Sequence, residues 1–432
     1  MERIAILLFI LFSFTGINLI QISKAMLTPF HVMALLLGAW MVLFGKKSHL
    51  GFLVSLNLLF LYLLFNSALC YPNIRYTSLL YSTVFIFELI IFYNVIRYCQ
   101  FKSIEEAFKL IIYLYFVNLC LGTVLILLNI HWPALEQIIG IARTTAGNRP
   151  SGFSSEPSYV AFILSMAYLS YINIHRHQID RSLIKVSGVY FLCILITGSA
   201  YGIMLMGICM LDWLRHFYFR LSQSFRLVFV LAGVLVVSFG SHQLSSVENE
   251  SVERITNIGM VLGDPYSDTD KKLSKLKELD PSAFARIGPS YVLFFSAESE
   301  NFNLWLGEGA GAAGVYIPML MAGSLIDEDD DEFDTGILPA FIFDYGLIGM
   351  ALLFFLVVVC FNGLSFPFWI LFIMLLPNAN INTQIFWFGI ASFLVTSIIQ
   401  NTRKQYWRQQ LAAARIQKNS NFPSSQIMNR PL

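Results

Sequence analysis

The sequence predicts an all-α integral membrane protein of about 12 transmembrane helices, and three observations carry that class. Of its 432 residues, 56% are hydrophobic and only 13% are Asp, Glu, Lys or Arg, against roughly 25% charged in an ordinary soluble domain. Uncharged stretches of about twenty residues, enough to cross ~30 Å of hydrocarbon, recur along the chain, and the mean hydropathy is +0.66. Lysine and arginine gather in alternate connecting segments, as the positive-inside rule requires. Soluble, fibrous and disordered classes are excluded, and with a net charge of +1 no nucleic-acid partner is expected.

Taken in order, spans are expected near residues 4–22, 29–44, 50–70, 76–97, 109–130, 157–173, 182–198, 199–214, 227–241, 336–361, 365–378 and 384–400. The first follows Arg3, is too long for a signal-peptide core and lacks an A-x-A site, so it reads as a retained span. A single helix over 182–214 would be about 50 Å long, too long for the membrane, so TGSAYG at 197–202 is expected to turn. The chain thus divides into nine spans over 1–240, with an outward loop at 131–156, a large external loop at 241–335, three spans over 336–400 and a tail at 401–432. With the N-terminus inside, 18 of the 28 basic residues fall on the cytoplasmic side, while the external loop holds 18 of the 27 acidic ones. Both termini are therefore expected in the cytoplasm, the tail as a basic, solvated and frayed end.

The six cysteines are scattered through apolar stretches without CxxC or CxxH spacing, so neither a metal site, a disulfide framework nor a cofactor is indicated. Asp327, Asp329 and Asp331 begin like a calcium loop, but Glu332 stands where glycine is needed and Leu338 where glutamate is needed. That run reads as solvated charge.

Two outward segments combine arginine, glycine and carboxylate beside a membrane boundary. In RTTAGNRPSGFSSEPSYVAF, Arg143 and Arg149 offer permanent charge and a planar fork suited to the oxygens of a lipid-linked diphosphate, with interfacial snorkelling as the plainer role. Gly152 permits a tight turn, and Glu156 precedes Pro157, where either a reactive carboxylate or simple dipole stabilisation at a helix start explains it. The second segment runs from Arg286 through NLWLGEGAGAAG to DTGILPAFIFDYGLIG. Gly309, Gly311 and Gly314 satisfy GxGxxG without the βαβ context of a dinucleotide fold, so the stretch either turns N–H groups toward an anion or packs tightly. Asp344 is an ionisable group inside a span and so a functional suspect, with pairing to an arginine as the alternative, whereas Glu88, mid-span in the fourth helix, reads as structurally paired rather than catalytic. Only His31, His131 and His242 can reach the outer face, more as interfacial residues than as bases.

These two segments resemble the O-antigen polymerase and ligase superfamily of integral-membrane glycosyltransferases, over roughly the central half of the chain. RPSGFSSEPSYVAF is similar to that family's Arg-x-x-Gly segment at Arg149, Gly152, Glu156 and Pro157; Arg286 followed by LGEGAGAAG resembles its loop arginine and Gly-x-Gly stretch; DTGILPAFIFDYGLIG resembles its re-entry segment. The family's frequent arginine in the turn at 196–205 is Ala200 or Tyr201 here, and Asp334-Thr335 stands where its ligases carry His-Asn, which points to a repeat-unit polymerase rather than a ligase. The resemblance implies a GT-C-type bundle with a partly helical periplasmic loop in the inner membrane. It implies polymerisation of undecaprenyl-diphosphate-linked repeats into O-antigen, capsule or exopolysaccharide, without metal, and a chain-length-regulating membrane protein as partner. Arg149, Arg286 and Arg143 would hold the diphosphate, Gly152, Gly309 and Gly311 would shape the loops, and Asp334, Glu156 and Asp344 are the candidate bases in that order. A ligase, or a flippase of lipid-linked sugar, is the alternative; the one-sided loop and the missing internal repeat speak against transport.

Overall fold

The computed structural model describes residues 2–17, 20–22, 25–44, 50–71, 74–96, 99–130, 136, 139–144, 147–154, 156–175, 180–220, 259–261, 263, 269–279, 284, 288–290, 303–314, 336–377, 379 and 381–420. Arg286, Asp334, the acidic run and the expected span at 227–241 lie outside the described residues, as do His131 and His242.

The described chain is overwhelmingly helical. In order it forms α1 (Glu2–Ser13), a hairpin of β1 (Ile20–Ile22) and β2 (Ala25–Leu27), α2 (Pro29–Phe44), α3 (Leu50–Leu69), α4 (Tyr76–Ile96), α5 (Phe101–Leu127), a hairpin of β3 (Ile141–Thr144) and β4 (Gly147–Pro150), α6 (Pro157–Ile174), α7 (Arg181–Thr197), α8 (Ala200–Arg220), α9 (Thr269–Leu279), α10 (Ile337–Cys360), α11 (Phe366–Leu375) and α12 (Gln384–Ser420). Six helices among the described residues are long and apolar enough to cross a membrane: those over Gly51–Leu69, Tyr76–Asn94, Phe101–Leu127, Pro157–Ile174, Ile337–Cys360 and Gln384–Ala412.

Four boundaries differ by more than three residues from the sequence reading, among them the end of α8, which runs to Arg220 rather than 214. The first helix ends at Ser13 instead of 22, because its last carbonyls are taken by side chains: Tyr115 Oη donates to Ser13 O (2.5 Å) and Gln384 Nε2 to Phe12 O (2.8 Å), after which Gly16 N bonds Phe153 O (2.8 Å). The fifth begins at Phe101 rather than 109, since Glu105, Glu106 and Lys109 are tolerated on its exposed or partnered first turns. The last span, expected to end at 400, continues as α12 to Ser420, because the composition of 401–420, rich in Gln, Ala, Lys and Arg, favours helix; the expected frayed end at 421–432 lies outside the described residues. The expected turn at TGSAYG is present: α7 ends at Thr197, Gly198 is left-handed (φ 57°, ψ 24°) and α8 starts at Ala200.

Helix α6 is the axis of the bundle, almost wholly buried and in contact with α5, α7, α8, α11 and α12. Without a hydrophobic drive between helices in lipid, packing and interhelical hydrogen bonds hold such a core. Three Tyr–Ser pairs join α6 to α7 like rungs: Ser165–Tyr190 (2.8 Å), Tyr168–Ser187 (2.7 Å) and Tyr171–Ser182 (3.2 Å). Tyr168 also stacks on Tyr190 at 4.2 Å and 8°. On the other side, α10 packs along α3, and α12 touches α1, α4, α6, α10 and α11, tying the two sides together.

Candidate functional site

The segment around Arg149 is built locally. β3 and β4 pair antiparallel, with Ala142 opposite Arg149 and Ile141 opposite Pro150. Gly152 then takes φ +61° with its Cα side against the Tyr115 ring, 3.1 Å from where a Cβ would stand, which turns the chain into α6. Pro157 opens that helix and Glu156 is its N-cap, yet Glu156 makes no capping bond; its Oε2 accepts from Ser158 Oγ at 2.9 Å. Arg149 is half-buried, its Nη1 donating to Gly198 O at 3.3 Å, so this strand reaches the turn between α7 and α8. Arg143 lies on β3, opposite Asn148.

The second segment is built the opposite way, by inserting a loop into a broken helix. Within α10, Gly346 adopts φ 66°, ψ −175°, a conformation essentially confined to glycine, and a Cβ there would fall 2.2 Å from Trp305 O. The break frees backbone groups that cannot be left bare in an apolar surround. Residues 303–314 take them up: Glu308 N donates to Phe343 O (2.9 Å), Gly309 N to Asp344 O (2.9 Å), Leu347 N to Leu304 O (2.9 Å) and Ile348 N to Trp305 O (3.2 Å). Polar residues along α3 and just past its end hold the same junction: Tyr62 Oη donates to Tyr345 O (2.8 Å), Asn66 Nδ2 to Leu306 O and, one residue beyond the helix, Cys70 Sγ to Gly307 O (3.8 Å).

Gly307, Gly309 and Gly311 all have positive φ (79°, 99° and 78°). This alternation turns successive odd-numbered N–H groups to one side, and they converge on Asp344. Gly309 N reaches its carbonyl, while Gly311 N and Ala313 N reach Oδ2 (2.9 Å) and Oδ1 (2.7 Å) of its buried carboxylate. The glycine stretch turns its N–H groups toward a carboxyl group, and that group is a side chain of the protein itself. Asp344 therefore fastens the loop, with one lone pair left on each oxygen.

Both segments lie at one end of the bundle and are joined by a polar seam. Ser154 Oγ meets Thr15 Oγ1 at 2.7 Å just past α1. Gln384, first residue of α12, binds the carbonyls of Leu11, Phe12 and Phe14 through Nε2 and accepts from Thr28 Oγ1 at 2.8 Å. Two residues earlier, Asn382 Oδ1 accepts from Ser82 of α4 (2.8 Å), and Ser82 is two turns from Arg75, whose N–H donates to Ala310 O at 2.7 Å.

Two features escaped the sequence. Glu88 and His31, each read alone, form a buried pair, His31 Nδ1 to Glu88 Oε1 at 2.6 Å, with 2% and 1% of the side chains exposed. Their separation of 57 positions leaves no local signal. Arg75, in a short connection without a motif, is brought against Gly311 and Gly314. Among the described residues no group of three or more His, Cys, Asp or Glu is arranged to hold a metal ion. No protein-family model matches the sequence, and no curated protein is significantly similar to it.

Proposed function

We propose that this protein is a membrane glycosyltransferase that polymerises undecaprenyl-diphosphate-linked oligosaccharide repeats on the outer side of the cytoplasmic membrane. The observation that supports this reading is the convergence at one bundle end of Arg149 with Glu156 and of the glycine loop fastened by Asp344. In this reading the anomeric C–O bond to the lipid diphosphate breaks, an acceptor hydroxyl forms the new glycosidic bond, and the diphosphate leaves with its electron pair. Arginine donors, Arg149 and Arg286 first and Arg143 next, offset the charge that develops on the leaving group, an effect worth about 3–4 kcal/mol for a well-placed donor. A carboxylate, Asp334 or Glu156, takes the proton of the acceptor hydroxyl. The finer layout of about 12 spans, cytoplasmic termini and a large periplasmic loop over 241–335 belongs to the same proposal.

A second reading, transport of lipid-linked sugar, draws on the broken helix α10 with its buried acid, since discontinuous helices line the binding sites of many transporters. One experiment separates the two. Purified protein in proteoliposomes receives a synthetic lipid-linked repeat without ATP or metal; a ladder of multiples supports the polymerase, and movement of the repeat between leaflets without a ladder supports the transporter.

A further inference from the structure

The glycine loop also seats an arginine. The Arg75 side chain lies along it: its Cβ and Cδ are 2.7 and 3.1 Å from where a Cβ on Gly311 would stand, and its Nη1 is 3.1 Å from the corresponding point on Gly314. Any larger residue at 311 would displace the stem, and one at 314 would press on the head. The main chain is fixed at the same point by the bond from Arg75 N to Ala310 O, and Arg75 O receives Ser78 N (3.0 Å) at the start of α4. The guanidinium is nevertheless exposed, and among the described residues it donates to no carboxylate or carbonyl. The acids of this loop are occupied otherwise. Asp344 is bound by the N–H groups of Gly311 and Ala313, and Glu308 Oε1 accepts from Asn303 N at 2.7 Å. A permanently charged fork is thus held at an exposed position, where its charge acts on the Asp344 carboxyl while, among the described residues, the hydrogen bonds of Asp344 and Glu308 come from backbone N–H groups.

We propose that Arg75 binds a phosphate-bearing lipid headgroup, and that in the glycosyltransferase reading, on which this part rests, the headgroup is the donor diphosphate. An arginine fork matches two phosphate oxygens at once, whereas lysine offers only a point charge. Ordinary anionic phospholipid carries the same chemistry, so the test has two ligand arms.

Full-length protein, Arg75→Gln and Arg75→Lys are compared by native mass spectrometry for binding of farnesyl diphosphate and of phosphatidylglycerol. Arg75→Gln is expected to weaken farnesyl diphosphate binding about tenfold or more, Arg75→Lys less, with phosphatidylglycerol retention and thermal unfolding unchanged. Unchanged farnesyl diphosphate binding in a folded Arg75→Gln protein overturns the proposal. Loss of phosphatidylglycerol alone overturns the assignment to the donor. The underlying reading fails separately: a parental protein that makes no ladder, while Arg75→Gln still loses farnesyl diphosphate, leaves the site standing without the polymerase.

Discussion

The hairpin before α6 and the loop inserted into α10 occupy the same end of the bundle and use the same residue types to opposite ends. In the first, backbone satisfies backbone through β3–β4, and the charged side chains of Arg149 and Glu156 extend from it. In the second, the carboxylate of Asp344 and the glycines are consumed in holding the backbone of a broken helix. The difference teaches that a buried acid beside a glycine run is not evidence of chemistry until its partners are known. Asp344 has two structural donors, so its removal perturbs fold and function together, whereas the hairpin can lose a charge and keep its shape.

Stability measurements can break that comparison. The largest effect is expected at Gly346, where a Cβ would meet Trp305 O at 2.2 Å in a glycine-only conformation; Gly346→Ala should cost more than about 3 kcal/mol and deplete monodisperse protein in detergent. Asp344→Ala comes next. It orphans the N–H groups of Gly311 and Ala313, at about 1–3 kcal/mol each, and should lower the thermal midpoint sharply, while Asp344→Asn, keeping one acceptor, falls between. A parental midpoint for Asp344→Ala would show that the loop is held by something else.

Two helix starts provide the calibration. Asp180 caps α7 by accepting from Leu183 N at 2.7 Å, and Asp180→Ala should cost about 1 kcal/mol. That backbone bond holds the Asp180 carboxyl below the usual carboxylate range, with a smaller contribution from His175. Its stabilisation is therefore present above the ordinary aspartate range and fades as pH falls through the depressed value, an effect small at so exposed a site. Glu156 occupies the same position on α6 without the capping bond. The smallest stability changes, within about 0.5 kcal/mol, are expected for Glu156→Gln and Arg149→Ala, although under the proposed glycosyltransferase function transfer by Arg149→Ala should fall about 100-fold. Should either variant unfold like Asp344→Ala, the hairpin is as structural as the loop and the contrast collapses.

Much of the fold was legible because apolar run length, proline and glycine act locally. Pro29, Pro157, Gly198 and the uncharged runs set the bounds of α2, α6, α7 and α8 to within a residue or two of the expected ones, apart from the C-terminal end of α8. Gly152 was legible as a turn for the same reason, since a positive φ belongs to the residue itself. Contacts between distant segments were not. The early end of α1 depends on Gln384 and Tyr115, the break in α10 on a loop some 40 positions earlier, and the His31–Glu88 pair on the packing of α2 against α4. The sequence by itself determined an apolar, helical chain with arginine, glycine and acid concentrated beside a few helix ends, because burial in a membrane is decided by composition over about twenty residues. Only the tertiary structure decided what those groups touch. A hydrogen bond depends on positions fixed to tenths of an ångström by other parts of the chain, and that is why Asp344 became a fastening and Arg75 a presented charge.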